Sequence, residues 1–191
     1  MTIWDDFTMV RIGALRDATF DRALQNNTPI TNGIYASWDD IDTDISIQAL
    51  SSPGMLLTLN AHVPRKPRWL VLNFEIGRGQ FDAGDILLLI VEGSGLGEQR
   101  IMDLVIRSAT KGGLVDTPWR ESLILPMETG IATALHSVEA SSPLVETDAF
   151  HTVMIRLPVH DFSMTFRDLR LTVIPADCGF QLFPPTLGVS P

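Results

Sequence analysis

The heptapeptide WDDIDTD carries four aspartates, and three of them, Asp40, Asp42 and Asp44, alternate along the chain. Alternate carboxylates in a tight loop can converge on a calcium ion, which prefers hard oxygen ligands. The EF-hand pattern is absent, because the sixth and twelfth positions counted from Asp40 are Ile45 and Ser51. Two interpretations remain: a structural calcium site, or an acidic strand edge whose carboxylates point to one side and discourage edge pairing.

Other motifs that carry chemistry are weak. The stretch GSGLG, residues 93–97, follows an apolar segment, but G-x-G-x-G is not the dinucleotide pattern and acidic residues flank it, so we predict a turn between two strands. None of the four histidines lies in a metal-ligand motif, and no G-x-S-x-G elbow is present. Cys178 is the only cysteine, so an internal disulfide is excluded.

The elements that must position these residues are mostly strands. Residues 17–27, DATFDRALQNN, have apolar side chains at helical spacing and predict a short helix. Eight later segments read as strands: DISIQAL, MLLTLNAHV, RWLVLNFEI, DILLLIVEG, MDLVIRSA, RESLILPM, HTVMIRLPV and FRDLRLTVIP. Turns separate them about every ten residues, except for a long connection at residues 128–150.

This pattern predicts an all-β fold, a jelly-roll-type antiparallel β-sandwich of about eight strands with a short N-terminal helical segment. We expect a single domain over residues 1–191. Within it, residues 1–42 form an irregular and helical segment, residues 43–176 form the sandwich, and residues 177–191 form a C-terminal tail.

The stretch RWLVLNFEIGRGQFDAGDILLLIVEG, together with HTVMIRLPV and FRDLRLTVIP, resembles the galactose-binding-like and carbohydrate-binding jelly rolls. The shared feature is an apolar strand, a Gly-Asp turn, a second apolar strand, and a late pair of strands that closes the sheet. The resemblance covers residues 43–176 and implies a sandwich with a ligand-binding face. It carries over no individual ligand residue, although such modules often hold a structural calcium.

Sugars stack their apolar C–H faces on aromatic rings, so the aromatic residues are the first candidates for ligand binding. Trp119 follows a turn beside Arg120, near Asp116, and is the best candidate for an exposed ring; Trp38 and Tyr35 come second. Trp69 lies within a predicted strand and is assigned to the core. The alternative is that each ring closes an end of the sandwich.

Composition limits the classes of partner. The net charge is −9, from 14 basic and 23 acidic residues, so nucleic acid and anionic membranes are poor partners. The longest apolar run is too short to span a bilayer, and no signal-peptide pattern begins the chain, so a cytoplasmic location is the default expectation.

Three functions follow, in this order. The first is a non-catalytic carbohydrate-recognition domain, serving alone or with a glycosyltransferase-type partner. The second is an assembly protein that forms a homo-oligomer or docks on a partner, using an apolar face or the tail FQLFPPTLGVSP. The third is an enzyme acting on polysaccharide with paired carboxylates, such as Glu75 with Asp103 or Glu121.

Overall fold

The computed structural model describes residues 3–145 and 149–179, with side chains from residue 9 onward. One α-helix, α1, spans Ile3–Asp17. The strands of the described residues are β1 Phe20–Ala23, β2 Pro29–Thr31, β3 Ile34–Trp38, β4 Ser46–Ser52, β5 Met55–His62, β6 Leu70–Gly79, β7 Ile86–Ser94, β8 Arg100–Met102, β9 Leu104–Thr110, β10 Gly113–Pro118, β11 Leu123–Leu125, β12 Gly130–Ser137, β13 Ala149–Arg156 and β14 Phe162–Ile174.

The strands form two six-stranded sheets and a small ribbon. Sheet A has the order β1-β4-β5-β14-β7-β12, and sheet B has the order β10-β9-β13-β6-β3-β2. The ribbon pairs β11 with β8. Every pairing among the described strands is antiparallel. The prediction of an all-β, jelly-roll-type antiparallel sandwich is confirmed.

Alternation along the strands builds the core between the sheets. Ile34, Phe74, Val153 and Ile106 are opposite one another on four neighbouring strands of sheet B, and all are buried. Because successive side chains of a strand point to opposite faces, their neighbours in sequence must point outward. Helix α1 packs Ile12 and Leu15 into the same core and contacts strands of both sheets, so it covers an opening between them.

Several predicted boundaries are wrong. Residues 17–27 do not form a helix: the helix ends at Asp17, and β1 follows as an edge strand paired with β4. Strands of both sheets lie before residue 43, so the sandwich begins earlier than expected, and the strands number fourteen among the described residues rather than about eight. The predicted long connection contains β12 and a 3₁₀ turn at Pro143–Val145.

The apolar tail FQLFPPTLGVSP lies outside the described residues, so its predicted docking stays a prediction. No helix in the described part of the chain is long and apolar enough to cross a membrane.

Candidate functional site

The outward side of sheet B is the surface that best fits a ligand. Its outward side chains, read from the strand register, are Tyr35, Ser37, Val71, Asn73, Glu75, Val105, Arg107, Asp116, Thr152, Met154 and Arg156. We call this set the outer face of sheet B. It crosses five strands, from β3 to β10, which at the usual spacing is about 19 Å.

The middle of this face is apolar and recessed. Val71, Val105 and Met154 form a buried cluster separate from the main core, with exposures of 7%, 3% and 5%. On the same face, the strand register places the longer side chains of Arg156, Asn73 and Arg107 around this cluster. The outer face of sheet B therefore has an apolar floor below a rim of longer side chains.

Asn73 fixes the polar part of this floor. It is 3% exposed, and its amide Nδ2 donates to the Tyr35 carbonyl oxygen at 3.2 Å and to the Ser37 hydroxyl at 2.9 Å. These two bonds set the orientation of the amide, because only its nitrogen can donate. The adjacent Tyr35 is half-buried and reaches the surface of the face.

An ion pair stands at the β9–β10 side of the face. The Nε and Nη2 atoms of Arg107 donate to Oδ1 and Oδ2 of Asp116, at 2.7 and 2.8 Å. The Arg107 hydrogen bonds hold the pKa of Asp116 below its usual range, and Asp116 raises the pKa of Arg107. We call this bidentate Arg107–Asp116 pair the fork. It uses two of the five guanidinium donors, so Arg107 can still donate hydrogen bonds to a ligand.

Three of the four charged side chains of the outer face lie in ion pairs, and the fourth, Arg156, is exposed. Glu75 accepts an ion-pair contact from Arg11 of α1 at 3.1 Å, as Asp116 does from Arg107. Burial raises the pKa of the Tyr35 hydroxyl; Glu75 raises it further and Arg107 opposes this. A face whose charges are mostly paired, beside a neutral phenol, suits an uncharged polar ligand better than a polyanion or a polycation.

Trp69 adds an exposed aromatic ring, and its assignment to the core is wrong. It is 41% exposed, whereas Trp38 and Trp119 are only 6% and 7% exposed. Trp69 directly precedes β6, so strand alternation carries it to the same side as Val71 and Asn73. The sequence already indicates this position. Leu70 and every second residue after it in RWLVLNFEI belong to the core, so alternation places Trp69 on the outer side.

The structure separates the other predicted ligand residues. Tyr35 and Asp116 share the outer face of sheet B. Trp38 belongs to the main core, so its ring is not presented to solvent. Trp119 is also buried, so its expected exposure is wrong. Its backbone N–H donates to the Leu104 carbonyl at 2.9 Å, which continues the pairing of β10 with β9 past Pro118. Arg120 is exposed beside a different cleft.

The acidic stretch is organised by Asp39. Arg68 donates to Asp39 from Nε at 2.7 Å, from Nη2 at 3.0 Å and from its backbone N–H at 3.2 Å. The side-chain bond from Arg68 is the largest cause that lowers the pKa of Asp39 to about 2. This buried aspartate anchors a turn, and β4 begins only afterwards, at Ser46.

The other three aspartates do not form a cation site. Asp40, Asp42 and Asp44 are exposed and line a shallow cleft together with Arg65, whose guanidinium contacts the Asp42 carbonyl at 3.5 Å. In the part of the chain whose side chains are described, no three His, Cys, Asp or Glu side chains are placed to hold a metal. The expected convergence on calcium, and the expected extended strand, are therefore both absent from this stretch.

The glycine-rich loop forms the predicted turn. The backbone N–H groups of Gly95 and Gly97 donate to the carbonyls of Pro126 and Met127, at 2.7 and 3.2 Å. These donors therefore serve the fold and do not form a phosphate cradle.

The space between the sheets is too small for a ligand. A void of about 20 Å³ lies beneath Ile12, walled by Ile34, Phe74 and Leu89. That is close to the volume that one water needs, and the walls are apolar. Among the described residues, this void leaves no room for a ligand larger than water.

Comparisons with known proteins agree with this fold. No protein-family model and no curated protein matches the sequence. Among solved structures, one described as "CBM4 structure and function" is similar, with a TM-score of 0.51 and 12% identity, over 82% of this chain and 97% of that chain. The resemblance to carbohydrate-binding jelly rolls is thus confirmed as a resemblance of fold.

The same fold is also similar to enzymes. A cyclase from Fischerella sp. TAU, solved in complex with 4-(1H-indol-3-yl)butan-2-one, has a TM-score of 0.51 and 11% identity, over 85% of this chain and 94% of that chain. A Stig cyclase from the same source has a TM-score of 0.50 and 10% identity, over 88% and 96%. Fold similarity at this level does not choose between binding and catalysis, so function must be argued from the site.

Proposed function

We propose that this protein is a non-catalytic carbohydrate-recognition domain that binds a neutral glycan along the outer face of sheet B. The observation that carries the proposal is one surface with three features: the exposed Trp69 ring, the buried apolar cluster around Met154, and the Arg107–Asp116 fork. The solved structures similar in fold include a carbohydrate-binding module, which agrees with it.

Each feature matches one part of a sugar. The ring of Trp69 stacks on the C–H face of a pyranose, and the apolar floor accepts further C–H groups. The fork offers donors from Arg107 and acceptors from Asp116 to hydroxyl groups. A face about 19 Å across suits an oligosaccharide that lies across the strands.

The chemistry of the face favours binding over catalysis. A general acid at neutral pH needs a carboxyl whose pKa is raised, whereas Arg107 lowers the pKa of Asp116. An ionised carboxylate held in a fork is a stable hydrogen-bond acceptor.

The test is a screen of neutral oligosaccharides by thermal unfolding, followed by calorimetry on any hit. A ligand at ten times its Kd adds about 1.4 kcal/mol of stability, which shifts Tm by a few degrees for a domain of this size. Trp69→Ala and Arg107→Ala should each weaken binding about tenfold, equivalent to about 1.4 kcal/mol.

Matched controls lie on sheet A. Ile131→Ala removes an apolar side chain from β12 that is more exposed than Trp69, and Arg170→Ala removes an exposed arginine that pairs with Asp168 at 2.9 Å. Both controls should bind like the unmodified protein. Equal losses in control and test variants, or no stabilisation by any glycan, would contradict the proposal.

A further inference from the structure

A second cleft lies away from the outer face of sheet B, where β10 and β12 end. It measures about 410 Å³ and is lined by Thr117, Pro118, Arg120, His136, Ser137, Glu139, Ser141, Ser142 and Pro143. We call it the end cleft. Its volume falls in the range typical of small-molecule sites, roughly 300–1,000 Å³.

Buried polar atoms without partners collect at this cleft. Among the described side chains, both ring nitrogens of His136, Nε1 of Trp119 and Oγ1 of Thr117 are buried with no hydrogen-bond partner. Folded proteins satisfy most buried polar atoms, and an unsatisfied one in a native structure calls for an explanation. Three of these atoms belong to His136 and Thr117, which line the end cleft, and the fourth belongs to Trp119, whose ring contacts His136.

Two of these three side chains are in ring contact, and two of them line the end cleft. The rings of Trp119 and His136 have centroids 5.8 Å apart and planes inclined at 35°. His136 is 8% exposed and lies on the wall of the end cleft, while Thr117 lies at the end of β10 on another wall. Burial lowers the pKa of His136, so its imidazole is neutral at pH 7 and offers one donor and one acceptor.

We infer that the end cleft is a second binding site, for a single small neutral molecule rich in hydroxyl groups, of the size of a monosaccharide. The imidazole and the Thr117 hydroxyl belong to residues that line the cleft and can each donate or accept, and the Trp119 ring contacts the imidazole. At the rim, the opposite charges of Arg120 and Glu139 disfavour a strongly charged ligand. Both ring nitrogens are buried, so the inferred ligand bonds them only if the His136 ring turns toward the cleft.

This site does not depend on the proposed glycan site. The end cleft uses β10, β12 and the segment before the 3₁₀ turn, whereas the glycan would lie across the centre of sheet B. Either site can be present without the other. The two indoles make them separable, since Trp119 reports on the end cleft and Trp69 reports on the outer face.

The experiment is a titration of the ¹⁵N-labelled protein with glucose, galactose, mannose and xylose, each at millimolar concentration. Indole N–H signals are assigned with Trp69→Phe and Trp119→Phe. We expect a saturable shift of the Trp119 signal and of the His136 ring signals with at least one sugar. Arg120→Ala, an exposed substitution that should not impair folding, should weaken that response at least threefold.

Two outcomes would overturn the inference. One is an unmoved Trp119 signal with every sugar; the other is an unchanged response in both Arg120→Ala and Thr117→Val. A shift of the Trp69 signal alone would support the proposed function and reject the end cleft, and a shift of the Trp119 signal alone would do the reverse.

Discussion

Arg107 and Asp116 face each other across neighbouring strands of sheet B, joined by hydrogen bonds of 2.7 and 2.8 Å. Both side chains remain more than two-fifths exposed, so the pair contributes little to stability and stays accessible. Its value is geometric: the fork holds a donor group and an acceptor group at a fixed separation beside the apolar floor.

The fork predicts how glycan binding depends on pH. Glycan binding requires the ionised Asp116 carboxylate. Because Arg107 lowers the pKa of Asp116, the carboxylate is protonated only at a pH below the usual range for aspartate. Affinity should stay constant from about pH 8 to about pH 4 and fall only below that. Calorimetry at several pH values checks this. A decline between about pH 7 and about pH 5 would instead implicate a histidine, contrary to the assignment.

The Asp39–Arg68 pair predicts a stability change in acid. The pKa of Asp39 is about 2 in the folded protein and near 3.8 in the unfolded chain. Its contribution to the free energy of unfolding is therefore complete above the higher pKa and is lost as the pH falls through the lower one. Asp39→Asn should lower Tm at pH 7, and the difference from the unmodified protein should shrink toward about pH 2. The exposed Asp40→Asn is the control and should leave Tm unchanged.

The acidic stretch predicts insensitivity to calcium. Asp40, Asp42 and Asp44 do not form a cluster, and the guanidinium of Arg65 shares their cleft and opposes a cation. Adding calcium or a chelator should therefore shift Tm by less than about 1 °C, well below the effect of a bound ligand. Thermal unfolding with calcium and with chelator tests this prediction, and a clear fall in Tm with chelator would contradict it and support a calcium site.

Two glycines predict opposite effects when changed to alanine. In Gly13→Ala the new methyl meets nothing within 4 Å, so removing a helical glycine should stabilise the fold by about 0.5–1 kcal/mol. In Gly93→Ala the methyl would lie 2.2 Å from the Thr165 carbonyl oxygen on β14. The pairing of β7 with β14 must therefore shift, which should lower the free energy of unfolding by about 2 kcal/mol or more. Urea unfolding measures both, and a neutral Gly93→Ala would show that the two strands are looser than described.

The sequence predicts the sandwich well because the longest strands show their own pattern. In RWLVLNFEI, alternate residues separate into a core set with Leu70 and an outer set with Asn73, and the structure keeps both sets. The error at Trp69 came from giving a large aromatic ring to the core by its type, against the alternation of its own strand.

The short elements could not be predicted in this way. Phe20, Ala23 and Leu24 have helical spacing, yet residues 20–23 pair with β4, about thirty residues later. Four residues at a sheet edge carry too little local preference to decide their conformation, so the partner strand decides it. The Trp119 backbone likewise pairs with a distant group, the Leu104 carbonyl, which no local pattern shows.

The candidate site was predicted only in part for the same reason. Tyr35 and Asp116 were named from the sequence, but Arg107 was not, because only the register of β9 against β10 shows that it faces Asp116. Their shared face follows from the order of five strands, which composition and spacing do not contain. A homo-oligomer and a glycosyltransferase-type partner stay predictions.

The position of β14 has a consequence for how the chain is made. Among the described residues it is the last strand in sequence, yet it lies in the middle of sheet A, between β5 and β7. Until the ribosome has released residues 162–174, those two strands have unpaired edges, which are prone to misassociation. Sheet A can therefore close only after β14 has left the ribosome, and a nascent chain that stalls earlier keeps the facing edges of β5 and β7 unpaired.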